Sequence, residues 1–450
     1  MKKFNKEKYL KKLKFKKYKR YLYIGIPCIL VLLIGIYFAY SKFSVFKEEE
    51  VVRTTVGEFI YGDVVIGAYI DGEYSKTIPG KNDGYVVDKI VCDNNASASW
   101  DNDSWGIVLT NLTKRTKCNV YFNKVVSVSE KVTTAMNSNP SMFATDDPDN
   151  NIRYIGKDPS NYVYFNCSDY NNPTADTCEL WRIIGVFNNV TKSDGSKENL
   201  VKIIRADSLG NYSWDNKDTS TGAETKYGKN DWTTARLNYL LNPGHDSESI
   251  GGSLYYDAKS GTCYYGQNNA TTSCDFTSTG LKNDTTRNAI EEVVWNLGGT
   301  SDFTSARNGL ASHWYGYERG TTVYSGRPTT WTGKVGLMYP SDYGYATSGG
   351  TTKDRSACLA KELYNWESSN FSDCKGNDYL LDASNVQWTL APHSAYADRV
   401  FHVRTVGPVY SLNAYRTYGV RPALFLKSNI VVKSGTGESS NPYQLKLGID

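Results

Sequence analysis

Leu180-Trp181-Arg182-Ile183-Ile184-Gly185-Val186-Phe187, followed after a polar, glycine-containing loop by Leu200-Val201-Lys202-Ile203-Ile204-Arg205, reads as two strands of a hairpin. Short runs this rich in β-branched and aromatic residues, bounded by turn formers, are strands. Two helices are expected on the C-terminal side. In one, Asn230 or Asp231 caps a run from Trp232 to Leu241 that Asn242-Pro243-Gly244 stops. In the other, Asp284 caps a stripe of Ile290, Val293, Val294 and Leu297 at helical spacing, ended by Gly298-Gly299. The rest of residues 127–450 is long loop rich in Gly, Ser, Thr, Asn and Tyr, and its frequent Trp, Tyr and Cys argue for order. No period of a repeat protein runs through it.

Toward the N-terminus, residues 51–126 alternate in period two, as in Glu58 to Ile66 and Trp105 to Leu109. This predicts a small all-β, Ig-like sandwich with one internal bridge, serving as a stalk. Ahead of it, Tyr21 to Ser41 is uncharged, and at about 1.5 Å per residue it spans the ~30 Å hydrocarbon core as one transmembrane helix. A basic cytoplasmic stub, residues 1–20, keeps the N-terminus inside. The competing reading is a cleaved signal peptide ending near Ala39-Tyr40-Ser41, against which stand the long apolar run and the long basic region. In either case the remainder is exported.

Charge separates the two sides. Residues 1–47 carry 13 Lys/Arg and one Glu, which leaves −8 on the other 403 residues of a chain whose net charge is +4. The exported part has no basic field for nucleic acid, so nucleic-acid binding is excluded, whereas the stub suits anionic lipid. Eight of the nine cysteines lie beyond the membrane segment in four couples, Cys92/Cys118, Cys167/Cys178, Cys263/Cys274 and Cys358/Cys374, with Cys28 alone. Even counts in an exported chain favour disulfides, and the wide gaps between couples favour nearest-neighbour pairing among the 105 possibilities. None of the couples has the spacing of a zinc knuckle, and the four histidines are scattered.

Further stretches carry a resemblance: Asp146-Asp147-Pro148-Asp149-Asn150-Asn151-Ile152-Arg153-Tyr154-Ile155-Gly156, Asn230-Asp231-Trp232-Thr233-Thr234-Ala235, Gly333 to Ala346, Trp388-Thr389-Leu390-Ala391-Pro392, Gly419 to Leu426, and Gly435 to Leu445. With Leu180 to Phe187 they make residues 128–450 similar to exported bacterial surface proteins of unknown function, whose domain is related to the formylglycine-generating, sulfatase-modifying enzymes. The resemblance implies an α+β, C-type-lectin-like head with two helices on a twisted antiparallel sheet, its last strands closing near its first. Such a fold hosts oxidases, receptors and sugar binders alike. The enzymes of that fold hold copper on cysteines of the C-terminal core, and here no cysteine follows Cys374. Gly419-Val420-Arg421-Pro422 matches only their final element, so Arg421 is expected to anchor a strand through its fork of donors.

Other catalytic templates are missing: no His-Glu-x-x-His, no Gly-x-Ser-x-Gly elbow, no P-loop. His393 and His402 flank Asp398, which permits a base and its orienter on paper. Asp146, Asp147, Asp149 and Asn150, and the pair Asn377-Asp378, offer oxygen ligands for structural calcium, but turn and cap roles explain them more simply. Neither a cofactor nor a catalytic metal is expected. The expected function is recognition, by a membrane-anchored, single-pass protein, of an extracellular glycan, wall polymer or protein; the alternative is an envelope enzyme acting on glycans or protein thiols. The binding surface is expected between Pro392 and Tyr418, where Tyr396, Asp398, Arg399, His402, Arg404, Tyr410, Asn413, Tyr415 and Arg416 combine aromatic faces with hydrogen-bonding tips.

Overall fold

Alternation shows first in the strand Thr116–Lys124, where Thr116, Cys118, Val120 and Phe122 are buried and the residues between them are not. This strand runs parallel to Val64–Ile70 and antiparallel to Tyr85–Cys92. With Phe59–Tyr61 and Glu73–Ser75 they complete a five-stranded sheet. A separate ribbon, Ser97–Asp101 with Gly106–Thr110, carries Trp100 and Trp105 to Phe122, and Trp105 Nε1 donates to the Pro79 carbonyl at 2.7 Å. In place of an Ig-like sandwich, then, there is one sheet with a covering ribbon.

These coordinates form a computed structural model describing residues 59–447 apart from 62–63, 82, 103, 111–115, 218–221, 306–307 and 368–372. The stub at 1–20, the transmembrane helix at 21–41 and Cys28 lie outside the described residues. Among the described residues no helix is long and apolar enough to cross a membrane. The chain divides into two units, Met1–Lys124 and Val125–Asp450.

In the second unit the expected hairpin exists as Glu179–Thr191 and Lys197–Arg205, at the centre of an eleven-stranded sheet. Its flanks are Ala423–Leu426 on one side and Tyr162–Phe165 on the other. The last strands, Val431–Ser434 and Tyr443–Lys446, join this sheet beside Val126–Ser127 and Tyr162–Phe165. Strand Glu179–Thr191 has a bulge before Gly185, where a Cβ would lie 2.1 Å from the Ile152 carbonyl; only glycine admits strand Ile152–Tyr154 this closely. That approach sets Arg153 into the interior. A second sheet holds Asn211–Ser213, Thr417–Gly419, Gln387–Pro392, Arg399–Val403 and Val409–Asn413. Arg421 joins the two parts of the core: its Nε donates to the Arg205 carbonyl at 2.8 Å and its Nη1 to the Leu380 carbonyl at 2.9 Å.

Strand makes up 37% and helix 15%, so the α+β expectation is corrected to a mostly β fold. The second expected helix shows why. Asn283, not Asp284, caps a helix of only Asp284–Asn288. Ile290–Glu291 then pairs with Ala423–Leu426, and Val293–Asn296 pairs with Thr330–Gly333. Val293, Trp295 and Leu297 are buried in alternation, a strand pattern that fits the stiff χ1 of the β-branched residues. The first expected helix is split: Asp231 caps a 3-10 turn at Trp232–Thr234, Ala235 is extended, and helix Arg236–Leu241 follows.

Four disulfides join Cys92–Cys118, Cys167–Cys178, Cys263–Cys274 and Cys358–Cys374. They mark a protein of an oxidising, extracellular or secretory setting. Each stabilises its unit by roughly 2–4 kcal/mol on the chain-entropy account.

Candidate functional site

Asn230 is buried, and its side chain organises the loop that follows Gln387–Pro392. Its Nδ2 donates to the carbonyls of His393 at 2.9 Å, Tyr396 at 2.7 Å and Arg399 at 3.0 Å. Its Oδ1 accepts from Arg327 Nε at 3.1 Å, and Arg327 also bonds Glu224 and the Ala397 carbonyl. A loop whose carbonyls are held this way has little freedom, and it leaves the Tyr396 ring 47% exposed. The Arg399 guanidinium sits 4.2 Å from the centroid of that ring.

A second aromatic–guanidinium pair stands at the same end of the same sheet. Arg399 lies opposite Asn413 in the antiparallel pairing of Arg399–Val403 with Val409–Asn413, so Tyr415 and Arg416 emerge beside it. Asp398 is a buried brace, accepting from Asn413 Nδ2 at 2.5 Å and, through its carbonyl, from Ala414 N at 2.7 Å. Tyr415 donates its N–H to the Tyr227 carbonyl and its own carbonyl accepts from Ser213 Oγ at 2.7 Å. The rings of Tyr227 and Tyr415 stack at 5.6 Å, with Arg416 at 5.2 Å from Tyr415. Among the described residues no carboxylate lies within ion-pair reach of Arg399 or Arg416. A crevice between Trp214, Trp232, Arg327 and Pro392 has a volume of about 10 Å³, room for little more than one water and far below the roughly 300–1,000 Å³ of small-molecule sites. The face itself is therefore the larger recognition feature.

The nine expected site residues thus separate. Tyr396, Arg399, Asn413, Tyr415 and Arg416 gather at one end, braced by Asp398. His402 is corrected from a contact residue to a core residue: it is buried against Trp388, Tyr418 and Tyr410, and burial lowers its pKa to about 3, so it stays neutral. Tyr410 stacks on Tyr364 at 5.7 Å, and Arg404, at the far end of the hairpin, lies 3.7 Å from Glu367. No acid–base dyad forms: His393 Nδ1 accepts from Ala395 N, and Asp398 is engaged with Asn413. Tyr227 and Arg327 belong to the site and were missed, because nothing near them in the sequence singles them out. Asn230 was read only as a cap.

In the acidic stretch Asp146 to Asn150, Asp147 is buried in an internal ionic core, whereas Asp146 and Asp149 are exposed. Asp147 accepts from Arg153 Nε at 2.5 Å, Asp146 from Arg355 at 2.8 Å, and Asp149 from the Tyr315 hydroxyl at 2.6 Å. Asp378 takes the N–H groups of Leu380 and Leu381. Arg153 Nη1 reaches Asp342 at 2.9 Å, and Lys202 Nζ reaches the same carboxyl at 2.5 Å. Burial pushes the Asp342 carboxyl up, but Lys202 and Arg153 outweigh it and hold it down to about 2. Glu318 binds Ser341 through its N–H at 2.9 Å and its hydroxyl at 2.5 Å, and burial pushes it up to about 7.

No family model, curated protein or solved structure matches this chain.

Proposed function

We propose that this protein recognises a ligand outside the cell through the face formed by Tyr227, Tyr396, Arg399, Tyr415 and Arg416, and that residues 21–41 anchor it in the membrane. The observation that carries the reading is the pairing of two exposed or half-exposed tyrosine–arginine units, both without carboxylate partners among the described residues, on a framework of buried hydrogen bonds. Tyrosine and arginine give contact area and directed donors at low ordering cost, which is why they dominate recognition surfaces. Stacking on a ring suits the apolar face of a sugar, and unpaired guanidinium groups suit a ligand bearing carboxylate or phosphate. An anionic glycan or wall polymer therefore fits best, with a surface protein as the other outcome. The test is an array of glycans, wall polymers and surface proteins probed with the purified full chain, beside the Tyr227/Tyr396/Tyr415→Ala variant. Equal signals from both would remove the face from consideration.

A further inference from the structure

Lys202 stands in the middle of strand Lys197–Arg205 with its side chain fully enclosed. Its ammonium has three hydrogens to place, yet Asp342 Oδ2 at 2.5 Å is its one hydrogen-bond acceptor among the described residues. Four aromatic rings surround it: Tyr339 at 4.4 Å, Trp295 at 5.3 Å, Phe187 at 5.6 Å and Phe425 at 5.7 Å from the ring centroids. Burial in such a box pulls the lysine toward its neutral, nucleophilic amine. On the other side, Asp342 Oδ1 accepts from Arg153 Nη1, and Oδ2 accepts from Tyr339 N at 2.9 Å. Arg153 Nη2 is buried with no acceptor, a donor in reserve beside the same carboxyl. Glu318, also enclosed, grips Ser341, the residue preceding Asp342, and is electrostatically coupled to both Lys202 and Asp342.

We propose that Lys202 and Asp342 become joined by an intramolecular amide bond between Lys202 Nζ and Asp342 Cγ. The reaction starts from the ion pair. One proton passes from the ammonium to the carboxylate, giving an amine and a carboxylic acid. The nitrogen lone pair attacks Cγ, the C–N bond forms, and the oxyanion on Oδ1 is held by Arg153. The nitrogen passes a proton to Oδ2, with which it is already in contact at 2.5 Å, the C–O bond breaks, and one water leaves. Ammonium plus carboxylate becomes amide plus water, so nothing is oxidised or reduced and no co-reactant is needed. Nζ is already held 2.5 Å from an oxygen of the carboxyl it would attack, which removes most of the entropic barrier of a bimolecular amidation. The product is also the better tenant of the interior: two charges vanish together, and Arg153 keeps Asp147 as a balanced partner.

The measurement is the intact mass of the purified full chain with its disulfides kept, followed by peptide mapping. A chain lighter by one water than its oxidised sequence is expected, with a branched peptide that contains both Lys202 and Asp342 and no tryptic cleavage after Lys202. A chain of full mass, with the two residues in separate peptides, would overturn the proposal. Lys202→Arg should restore the full mass; persistence of the water loss in that variant would place the loss elsewhere and equally overturn it.

Discussion

Arg153 and Arg399 each lie over aromatic rings, Arg153 at 4.6 Å from Phe187 and Arg399 at 4.2 Å from Tyr396, but in opposite surroundings. The buried guanidinium is shared between Asp147 and Asp342 at 2.5 and 2.9 Å. The half-buried one has no carboxylate in reach among the described residues. The same residue type on the same kind of ring thus belongs to the scaffold where its charge is answered and to the surface chemistry where it is not. Removing one partner in the interior leaves a charge stranded; removing a ring on the face leaves only water.

The sharpest way to break this contrast is Asp147→Ala, which takes from Arg153 one of its two buried carboxylates and leaves it Asp342 alone. Chemical denaturation should show a loss of about 3–5 kcal/mol. A loss below about 1 kcal/mol would mean that Asp342 alone answers the buried guanidinium. Next comes pH. Burial raises Glu318 to about 7 and Asp378 to about 6, above their unfolded values, so their contribution is complete below about pH 4 and is lost as pH rises through 6 to 7. On the order of 3 kcal/mol should disappear for each group across that window. In Glu318→Gln the corresponding part of the slope should be gone; an identical slope would contradict its burial as an acid. Asn230→Ala joins the two regions, since it frees three carbonyls of the Tyr396 loop. It should cost about 1–3 kcal/mol of stability and weaken capture as well. If capture persists at full strength, the loop does not need its brace.

Smaller effects are expected on the face. The Tyr227/Tyr396/Tyr415→Ala variant should lose ligand capture by at least about tenfold, roughly 1.4 kcal/mol, with a melting temperature close to the parent. Capture lost together with the fold would assign these tyrosines to the scaffold. Smallest of all, Arg404→Ala should change stability by less than about 0.5 kcal/mol and leave capture unaltered, because its contact with Glu367 is an exposed pair.

What was legible in the sequence was local. The hairpin around Gly185 announces itself by composition, and the disulfides join cysteines only 11 to 26 residues apart. The stripe from Ile290 to Leu297 misled because positions at helical spacing also coincide in part with a strand alternation, and partners in other strands decided between them. The ionic core was illegible for a plainer reason: Lys202 and Arg153 meet Asp342 across 140 and 189 residues. Asn230 reaches carbonyls 163 to 169 residues away, so its work could not be told from that of a helix cap. In the candidate site, composition could not separate the half-buried Arg399 from His402, buried in the core.

The pairing of Val431–Ser434 with Val126–Ser127, and of Tyr443–Lys446 with Tyr162–Phe165, sets the order in which the second unit is made. A strand near the start of the unit has no neighbour on that flank until Val431–Ser434 and Tyr443–Lys446 have been made, and sheets closed over such separations form slowly. The short cysteine loops need no such wait. Oxidation can thus lock Cys167–Cys178, Cys263–Cys274 and Cys358–Cys374 while the sheet is still open. The short loops thus allow the unit to be stapled before it is zipped.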